Sequence, residues 1–228
     1  MGTELMDARR HTWIWIAAAF CASLGLAVCM IAVFGIHRGV NLALPATARL
    51  AFLIFWPAYT GAALTSLFGD VFSPLRARAR DLGLAFAAAL LVHLALVVCL
   101  CVIGPAPGLG TFVIFGVAAG FTYLLALLSI RRVRQALPQT IWPPIRFVAM
   151  NYIAMAFLKD FARLPSHNLL SELRYLPFAA LAIIGPILKL TAWAAQAAHG
   201  VYFSRLLHYR AVAFGPPSPV RHRSENDR

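Results

Sequence analysis

Long apolar runs constrain this chain more than any other feature, and LAFAAALLVHLALVVCL at 84–100 is the clearest of them. A helix needs roughly 20 predominantly apolar residues to cross the hydrocarbon core of a bilayer. With 61% of its 228 residues apolar and 12% charged, the chain has the composition of a polytopic membrane protein. Runs of sufficient length predict six spans, at 13–36, 46–68, 82–103, 111–130, 146–164 and 175–198. We therefore expect an all-α, polytopic integral membrane six-helix bundle.

The formal net charge of +12 is distributed in a way that favours a membrane topology over nucleic-acid binding. If the N-terminus lies inside, the arginines collect in alternate connections and in the tails, whereas the opposite connection at 104–110 has no charge. Such a bias places the basic segments on the cytoplasmic side. Both termini are therefore expected in the cytoplasm, with the chain multi-pass in a bacterial-type inner membrane. The basic residues on that side are Arg9, Arg10, Arg76, Arg78, Arg80, Arg131, Arg132, Arg134, Arg146, Arg205, Arg210, Arg221, Arg223 and Arg228.

The domain organisation predicted from these runs is a six-span transmembrane domain at 1–198 and a basic cytoplasmic tail at 199–228. The end of the tail, GPPSPVRHRSENDR, is rich in proline and charge, which is typical of disorder. No dinucleotide-binding or phosphate-loop motif occurs, so any electrons would be delivered or collected by another polypeptide. The four cysteines fall inside spans one and three, where buried hydrophobes are expected rather than a disulfide framework. Gly116 and Gly120 form a small-residue face suited to close helix contact.

Few polar residues interrupt the spans, and each has a structural interpretation. Arg49 and Arg146 lie near predicted span ends, where long side chains reach the headgroups. Lys189 lies about 13 Å from the cytoplasmic end of its helix at 1.5 Å per residue, and needs water or a partner. Lys159 and Asp160 are adjacent and diverge by about 100° on a helix, so they do not form a facing pair.

His93 lies near the middle of the third span, and an ionisable ring at that depth is a functional hypothesis by default. One interpretation is a buried neutral imidazole that bonds a Ser, a Thr or a carbonyl on a neighbouring helix. The other is axial ligation of haem iron inside a helix bundle. All other histidines fall at span ends, in loops or in tails, so bis-histidine ligation has no second imidazole at the same depth.

Three segments resemble the ferric-reductase-like transmembrane domain, and are most similar to the haem-binding membrane subunits of periplasmic methionine sulfoxide reductase systems. The first is an R-x-L-G-L motif at 80–84 followed by His93. The second is TARLAFLIFWPAYTGAAL at 47–64, and the third is LALLSIRRVRQALPQTIWPPIRF at 125–147. The resemblance implies six spans with both termini inside, and haem ligation by the third-span histidine together with two histidines of span five.

The chain departs from that ligand set in span five, where Arg146 and Lys159 occupy the two histidine positions. An arginine keeps its proton and cannot bind iron, and a lysine binds it only as the free amine. The resemblance thus leaves open one b-type haem at His93, beside the Arg80 motif, with Lys159, Met155 or no protein group as second ligand. Such a subunit would transfer electrons with a separate redox partner protein.

The replaced histidines equally favour a haem-free subunit that kept the helical bundle. In that case the protein is a membrane scaffold or interacts with lipid or quinone, and Arg146 and Lys159 contact an anionic lipid or a quinone carbonyl. A small transporter is a third alternative, indicated by Asn151, Lys189 and the prolines within the spans. All three alternatives share the lipid bilayer as a partner.

Overall fold

The computed structural model describes the backbone of residues 2–104, 107–130, 133, 135, 138, 140–162 and 169–214, and within those ranges the side chains of residues 10–162 and 175–198. The regular structure of this part of the chain is entirely helical. Seven α-helices and one 3₁₀ turn at Gly69–Phe72 follow one another: α1 (Gly2–Phe34), α2 (Ile36–Phe68), α3 (Ser73–Ala77), α4 (Ala79–Ile103), α5 (Leu109–Leu128), α6 (Trp142–Phe161) and α7 (Leu169–Phe214).

Five stretches of helix in the described residues are long and apolar enough to cross a membrane. They correspond to five of the six predicted spans, so the expectation of an all-α, multi-pass membrane architecture is confirmed at that level. The stretches are Arg10–Phe34, Ile36–Ala77, Ala79–Ile103, Leu109–Leu128 and Tyr175–Ala198. The remaining predicted span, 146–164, corresponds to α6, whose arginine, asparagine, lysine and aspartate make it less apolar than these five.

Two helices extend beyond the predicted spans. The second span was expected to begin at 46, and α2 begins at Ile36, with only Gly35 between it and the end of α1. Gly35 makes this turn with a φ of 76°, in the left-handed region that glycine adopts without a steric penalty. The predicted span 175–198 coincides with the apolar stretch Tyr175–Ala198, and α7 continues beyond it to Phe214, into the segment expected to be the tail. The predicted disordered end at 215–228 and the basic residues Arg131, Arg132 and Arg134 lie outside the described residues.

The second helix is the centre of the bundle. Half of its membrane window is buried inside the protein, against 17% to 28% for the other four stretches. Its Phe52 and Phe55 are almost completely buried. The Phe52 ring lies 5.0 Å from that of Phe161 on α6, and the Phe55 ring lies 5.2 Å from that of Phe86 on α4. An aromatic cluster therefore fastens α4 and α6 to α2, since aromatic pairs in such tilted arrangements attract each other beyond their buried area.

Close helix contact occurs at a different glycine from those predicted. A Cβ added at Gly116 or Gly120 would meet nothing within 4 Å, so the predicted small-residue face of α5 contacts no described helix. A Cβ at Gly185 on α7 would come within 3.2 Å of the Tyr59 ring on α2. Next to it, Trp56 Nε1 donates a hydrogen bond of 2.8 Å to the Leu181 carbonyl. Gly185 therefore lets α7 approach α2 closely enough for this bond.

The cysteines also differ from expectation. Cys21 and Cys29 are exposed on the surface of α1, whereas Cys99 and Cys101 on α4 are partly buried. The expectation that all four act as buried hydrophobes is wrong for the two on α1, because only a few small residues of that helix face its neighbours. An exposed thiol on an apolar helix is compatible with lipid contact, since Cys behaves as a small hydrophobe.

The Gly185 contact generates a stability prediction. We expect Gly185→Leu to lower the unfolding free energy in mild detergent by about 1–3 kcal/mol, because overpacking forces α7 away from α2. The measurement is the thermal unfolding midpoint of the purified protein. Gly120→Leu is the matched control, since that position faces open space, and it should leave the midpoint unchanged or slightly raised. Equal destabilisation by both substitutions would contradict the assigned contact.

Candidate functional site

A cavity of about 230 Å³ opens between α2, α4, α5 and α6 at one end of the bundle. Its polar lining includes three arginines: Arg76 on α3, Arg80 on α4 and Arg146 on α6. We call the end of the bundle that carries them the basic end. The cavity is otherwise lined mainly by apolar side chains, including Phe55 and Phe86 from the aromatic cluster. The cavity therefore combines positively charged side chains with aromatic side chains in its lining.

The local fold brings Arg76 to this cavity. The chain leaves α2 at Gly69, whose φ of 78° again uses the freedom of glycine, and turns back through the 3₁₀ turn into α3. A Cβ at Gly61 would lie 3.2 Å from Leu75, so α3 packs against the end of α2. Thr65 reinforces this turn because its hydroxyl lies 3.1 Å from the Phe72 carbonyl. The short α3 therefore carries its arginine back over the cavity.

The electrostatics of the cavity are one-sided. Three guanidinium groups line it, and no Asp or Glu does so in the part of the chain that the structure describes. Arg80 is held at the rim by a hydrogen bond of 3.0 Å from its Nη2 to the Ser129 carbonyl, at the end of α5. A guanidinium carries five N–H donors, so Arg80 keeps others for a ligand. The arrangement can bind an anionic or strongly electron-rich group by charge-assisted hydrogen bonds.

The structure brings two of the four predicted site residues together. Arg80 and Arg146 both line the cavity, whereas His93 and Lys159 do not. Sequence reasoning missed Arg76 as a site residue, because it counted Arg76 and Arg78 only as loop charges. Nothing in the sequence distinguishes Arg76, which lines the cavity, from Arg78, which does not. Only the direction in which α3 folds back separates them.

His93 lies in a separate, small cluster formed by α1, α2 and α4. Its Nδ1 is 3.0 Å from the Thr47 hydroxyl on α2, which also lies 2.9 Å from the Ala43 carbonyl. If the hydroxyl donates to that carbonyl, the imidazole N–H donates to the hydroxyl oxygen. The surrounding cluster is made of fully or partly buried aliphatic residues, among them Ala27, Val40 and Leu96. This is the hydrogen-bonded histidine that the first interpretation described.

The structure does not place the second ligands considered from the sequence beside His93. Lys159 and Met155 lie on α6, where Lys159 is exposed and Met155 is 66% exposed. The apolar cluster around His93 belongs to α1, α2 and α4 and includes neither of them. A single axial bond from Nε2 is compatible with the observed contact, because Thr47 engages the other ring nitrogen.

A second polar cluster crosses the bundle at mid-depth. The Tyr59 hydroxyl on α2 donates a hydrogen bond of 2.8 Å to Asn151 Oδ1 on α6. Lys189 Nζ on α7 donates to the same oxygen at 3.3 Å and lies 4.2 Å from the centre of the Tyr59 ring. The ammonium is thus held by an amide oxygen and an aromatic face, which is a favourable site for a desolvated cation. Lys189 is tethered inward, and the expectation that it needs a partner is met.

Arg49 differs from its predicted position near a span end. Because α2 begins at Ile36, Arg49 is well inside the helix. Its guanidinium lies 4.4 Å from the centre of the Tyr175 ring and 5.5 Å from that of Phe178, both on α7. Its Nε is buried and has no hydrogen-bond partner among the described residues. The Arg49 guanidinium therefore stacks on aromatic rings of α7 instead of reaching the lipid headgroups.

The fold and these clusters define a multi-pass α-helical membrane protein with a cationic cavity at one end. A comparison with protein-family models, with curated proteins and with solved structures finds no match to this chain. The interpretation of the cavity therefore depends on its own chemistry.

The mid-depth cluster generates a prediction that tests whether the contact between Asn151 and Lys189 stabilises the packing of α6 against α7. Asn151→Leu leaves the Lys189 ammonium without its oxygen acceptor and should lower the unfolding free energy by about 1–3 kcal/mol. Adding Lys189→Met should recover the part of that loss that the unpaired ammonium causes, whereas the Tyr59 hydroxyl lacks its acceptor in both variants. Thermal unfolding of both single variants and the double variant gives the coupling. Purely additive destabilisation would show that the contact does not hold the helices together.

Proposed function

We propose that this protein is a six-span membrane subunit that binds the anionic or electron-rich head of a lipid-soluble molecule in the cavity at its basic end. The carrying observation is the set of three arginines and two aromatic side chains that line one cavity, with no carboxylate among the described lining residues. In this proposal α6 also crosses the membrane, as the fifth of six spans, the basic end faces the cytoplasm and both termini lie there. The positive-inside bias of the connections supports that orientation.

The position of the arginines supports a ligand that comes from the membrane. Arg80 is the second residue of α4 and Arg146 the fifth of α6, so both lie within about 6 Å of the helix starts at 1.5 Å per residue. Groups near the ends of spanning helices lie at headgroup level, where acidic lipids gather on the cytoplasmic leaflet. Basic pockets between transmembrane helices on that side bind such headgroups.

The lining of the cavity supports an amphiphile over a fully soluble anion. Phe55 and Phe86 line it together with Met150 and Ile153, all of which offer apolar surface. A ligand with an apolar portion would cover that surface, and burying it is favourable by roughly 25 cal/mol per Å². Arginine is suited to the polar portion because its planar fork matches carboxylate and phosphate oxygens.

Paired substitutions on α6 test this function. Arg146→Gln removes a cavity arginine and should weaken the binding of acidic lipids by about tenfold, the scale of one lost hydrogen bond to a charged group. Lys159→Gln removes the same charge from an exposed position of the same helix that does not line the cavity. Native mass spectrometry of the detergent-solubilised protein, titrated with acidic and with zwitterionic lipids, measures the retention of each.

Equal loss of acidic lipid in the two α6 variants would reduce the effect to general surface charge and would contradict the proposed site. No preference for acidic over zwitterionic lipid in the unsubstituted protein would contradict it too. Size-exclusion profiles and unfolding midpoints of both variants serve as controls for folding.

A second candidate function is transmembrane electron transfer through one b-type haem at His93, with a separate redox partner protein. It is supported by the contact between Thr47 and His93 Nδ1, because a partner on one ring nitrogen orients the other for metal ligation. The bound haem would supply one-electron redox chemistry. In this alternative the protein is the electron-transfer subunit of an oxidoreductase.

The haem alternative has a direct spectroscopic test. Protein purified in mild detergent after haem-supplemented expression should give a stoichiometric b-type signal in the reduced-minus-oxidised and pyridine-haemochrome spectra. His93→Phe should abolish that signal, whereas Thr47→Val should leave the haem bound with an altered spectrum, because Thr47 only orients the ring. A flat spectrum from folded protein would eliminate this alternative and leave the lipid site untouched.

A further inference from the structure

Three different walls supply the arginines of the cavity, and this geometry constrains the shape of the ligand. Arg76 comes from α3, which folds back from the end of α2, and Arg80 comes from the start of α4. Arg146 comes from α6, which is a separate helix from α3 and α4. Three guanidinium groups around one cavity, with no carboxylate among the described lining residues, favour a head of high negative charge.

Phosphate chemistry distinguishes two kinds of lipid head at such a site. A phosphate inside a diester link has two free oxygens and one negative charge. A terminal phosphate has three strong acceptor oxygens and a charge between about −1.5 and −2 at neutral pH. Arginine pairs with such oxygens bidentately, through two parallel N–H donors. Three guanidinium groups therefore carry more positive charge than the single charge of a diester offsets, and a terminal phosphate offsets more of it.

A fourth cation adds to the positive potential of the site. Lys189 Nζ lies 5.5 Å from the centre of the Phe147 ring, and Phe147 directly follows Arg146 on α6, so a second positive charge lies near Arg146 and like charges repel. Lys189 cannot move away freely, because Asn151 and the Tyr59 ring hold it. An anion of charge near −2 beside Arg146 would relieve that repulsion more than a singly charged one, as the Coulomb energy scales with the charge. The described residues that line the cavity provide no carboxylate to do so.

We propose that the cavity at the basic end selects lipids with a terminal phosphate, such as a lipid phosphomonoester, over lipids with a phosphodiester head. This proposal rests on the function proposed above, since it specifies the head of the same ligand. The apolar side chains of Phe55, Phe86 and Met150 receive the first part of the lipid chain. A quinone carbonyl would leave the three positive charges without a counter-charge, and a carboxylate offers only two oxygens.

Adjacent arginines of the connection between α2 and α4 provide the matched variants. Arg76 and Arg78 are both exposed, but only Arg76 lines the cavity. Arg76→Gln therefore removes a lining guanidinium, and Arg78→Gln removes the same charge two residues away, outside the cavity. Both are made in the full chain, reconstituted in phosphatidylcholine nanodiscs that carry a small fraction of either phosphatidate or phosphatidylglycerol. Native mass spectrometry counts the retained lipids, and inorganic phosphate and glycerol 3-phosphate are added as soluble competitors.

The expected result is that phosphatidate binds at least about tenfold more tightly than phosphatidylglycerol, the scale of one further charge-assisted hydrogen bond. Arg76→Gln should remove most of this preference, and Arg78→Gln should keep it. Competition by glycerol 3-phosphate or inorganic phosphate at similar concentration would assign the site to a soluble phosphate and overturn the lipid assignment.

Failure of the head selectivity and failure of the proposed function give different results. If both lipids bind equally and both are lost in Arg76→Gln, the selectivity is wrong while the acidic-lipid site stands. If neither lipid depends on Arg76 or Arg146, both proposals are wrong. Unchanged unfolding midpoints in the two variants show that any loss of binding is not a loss of fold.

Discussion

Inside a bilayer a polar group has no water to bond, so it must find its partner within the protein, and the second helix meets most of this demand. Thr47 contacts His93 on α4, Trp56 bonds the Leu181 carbonyl on α7, and Tyr59 bonds Asn151 on α6. Because these bonds leave α2 toward three different helices, its position in the centre is a consequence of where polar groups lie along it. The aromatic cluster then fills the spaces between those bonds.

The same constraint separates structural cations from candidate functional ones. Lys189 is tethered to Asn151 and to the Tyr59 ring, and Arg49 lies over the Tyr175 ring, so each is stabilised by its own chain. Among the described residues, no carboxylate lines the cavity, and of its three arginines only Arg80 has a hydrogen bond, to the Ser129 carbonyl. Positive charge that the described lining residues do not neutralise is a better indicator of a ligand than charge alone.

Hydropathy predicted the helices well and their contacts poorly. A long run of apolar residues predicts a helix. A helix that is apolar all round, however, gives no indication of which face contacts a neighbour. Asn151 and Lys189 were recognised as interruptions, yet their shared partner Tyr59 was not, since a tyrosine in an apolar run gives no such signal. Counting residues from helix ends puts all three at a similar depth. Only the structure shows that the three side chains point toward one another.

Turns account for the remaining differences between the predicted and the observed structure. The helix start at Ile36 depends on Gly35, a single residue in the left-handed region, which the run of polar and small residues after it concealed. The distinction between Arg76 and Arg78 likewise depends on the turn at Gly69, which determines the direction of α3. Such local geometry is decided by packing, as where Gly61 admits Leu75, and no periodicity in the sequence records it.

Arg146 links the departure from the resembled family to the cavity. The resemblance places a haem-ligating histidine there, and a guanidinium in its place cannot bind iron. The structure shows that this guanidinium lines the same cavity as Arg76 and Arg80. The position at which the resemblance expects a metal ligand therefore carries one of the three positive charges that line the cavity. With a neutral imidazole there, two lining arginines would remain. The proposed preference for a terminal phosphate depends on the higher charge, so it would be weaker.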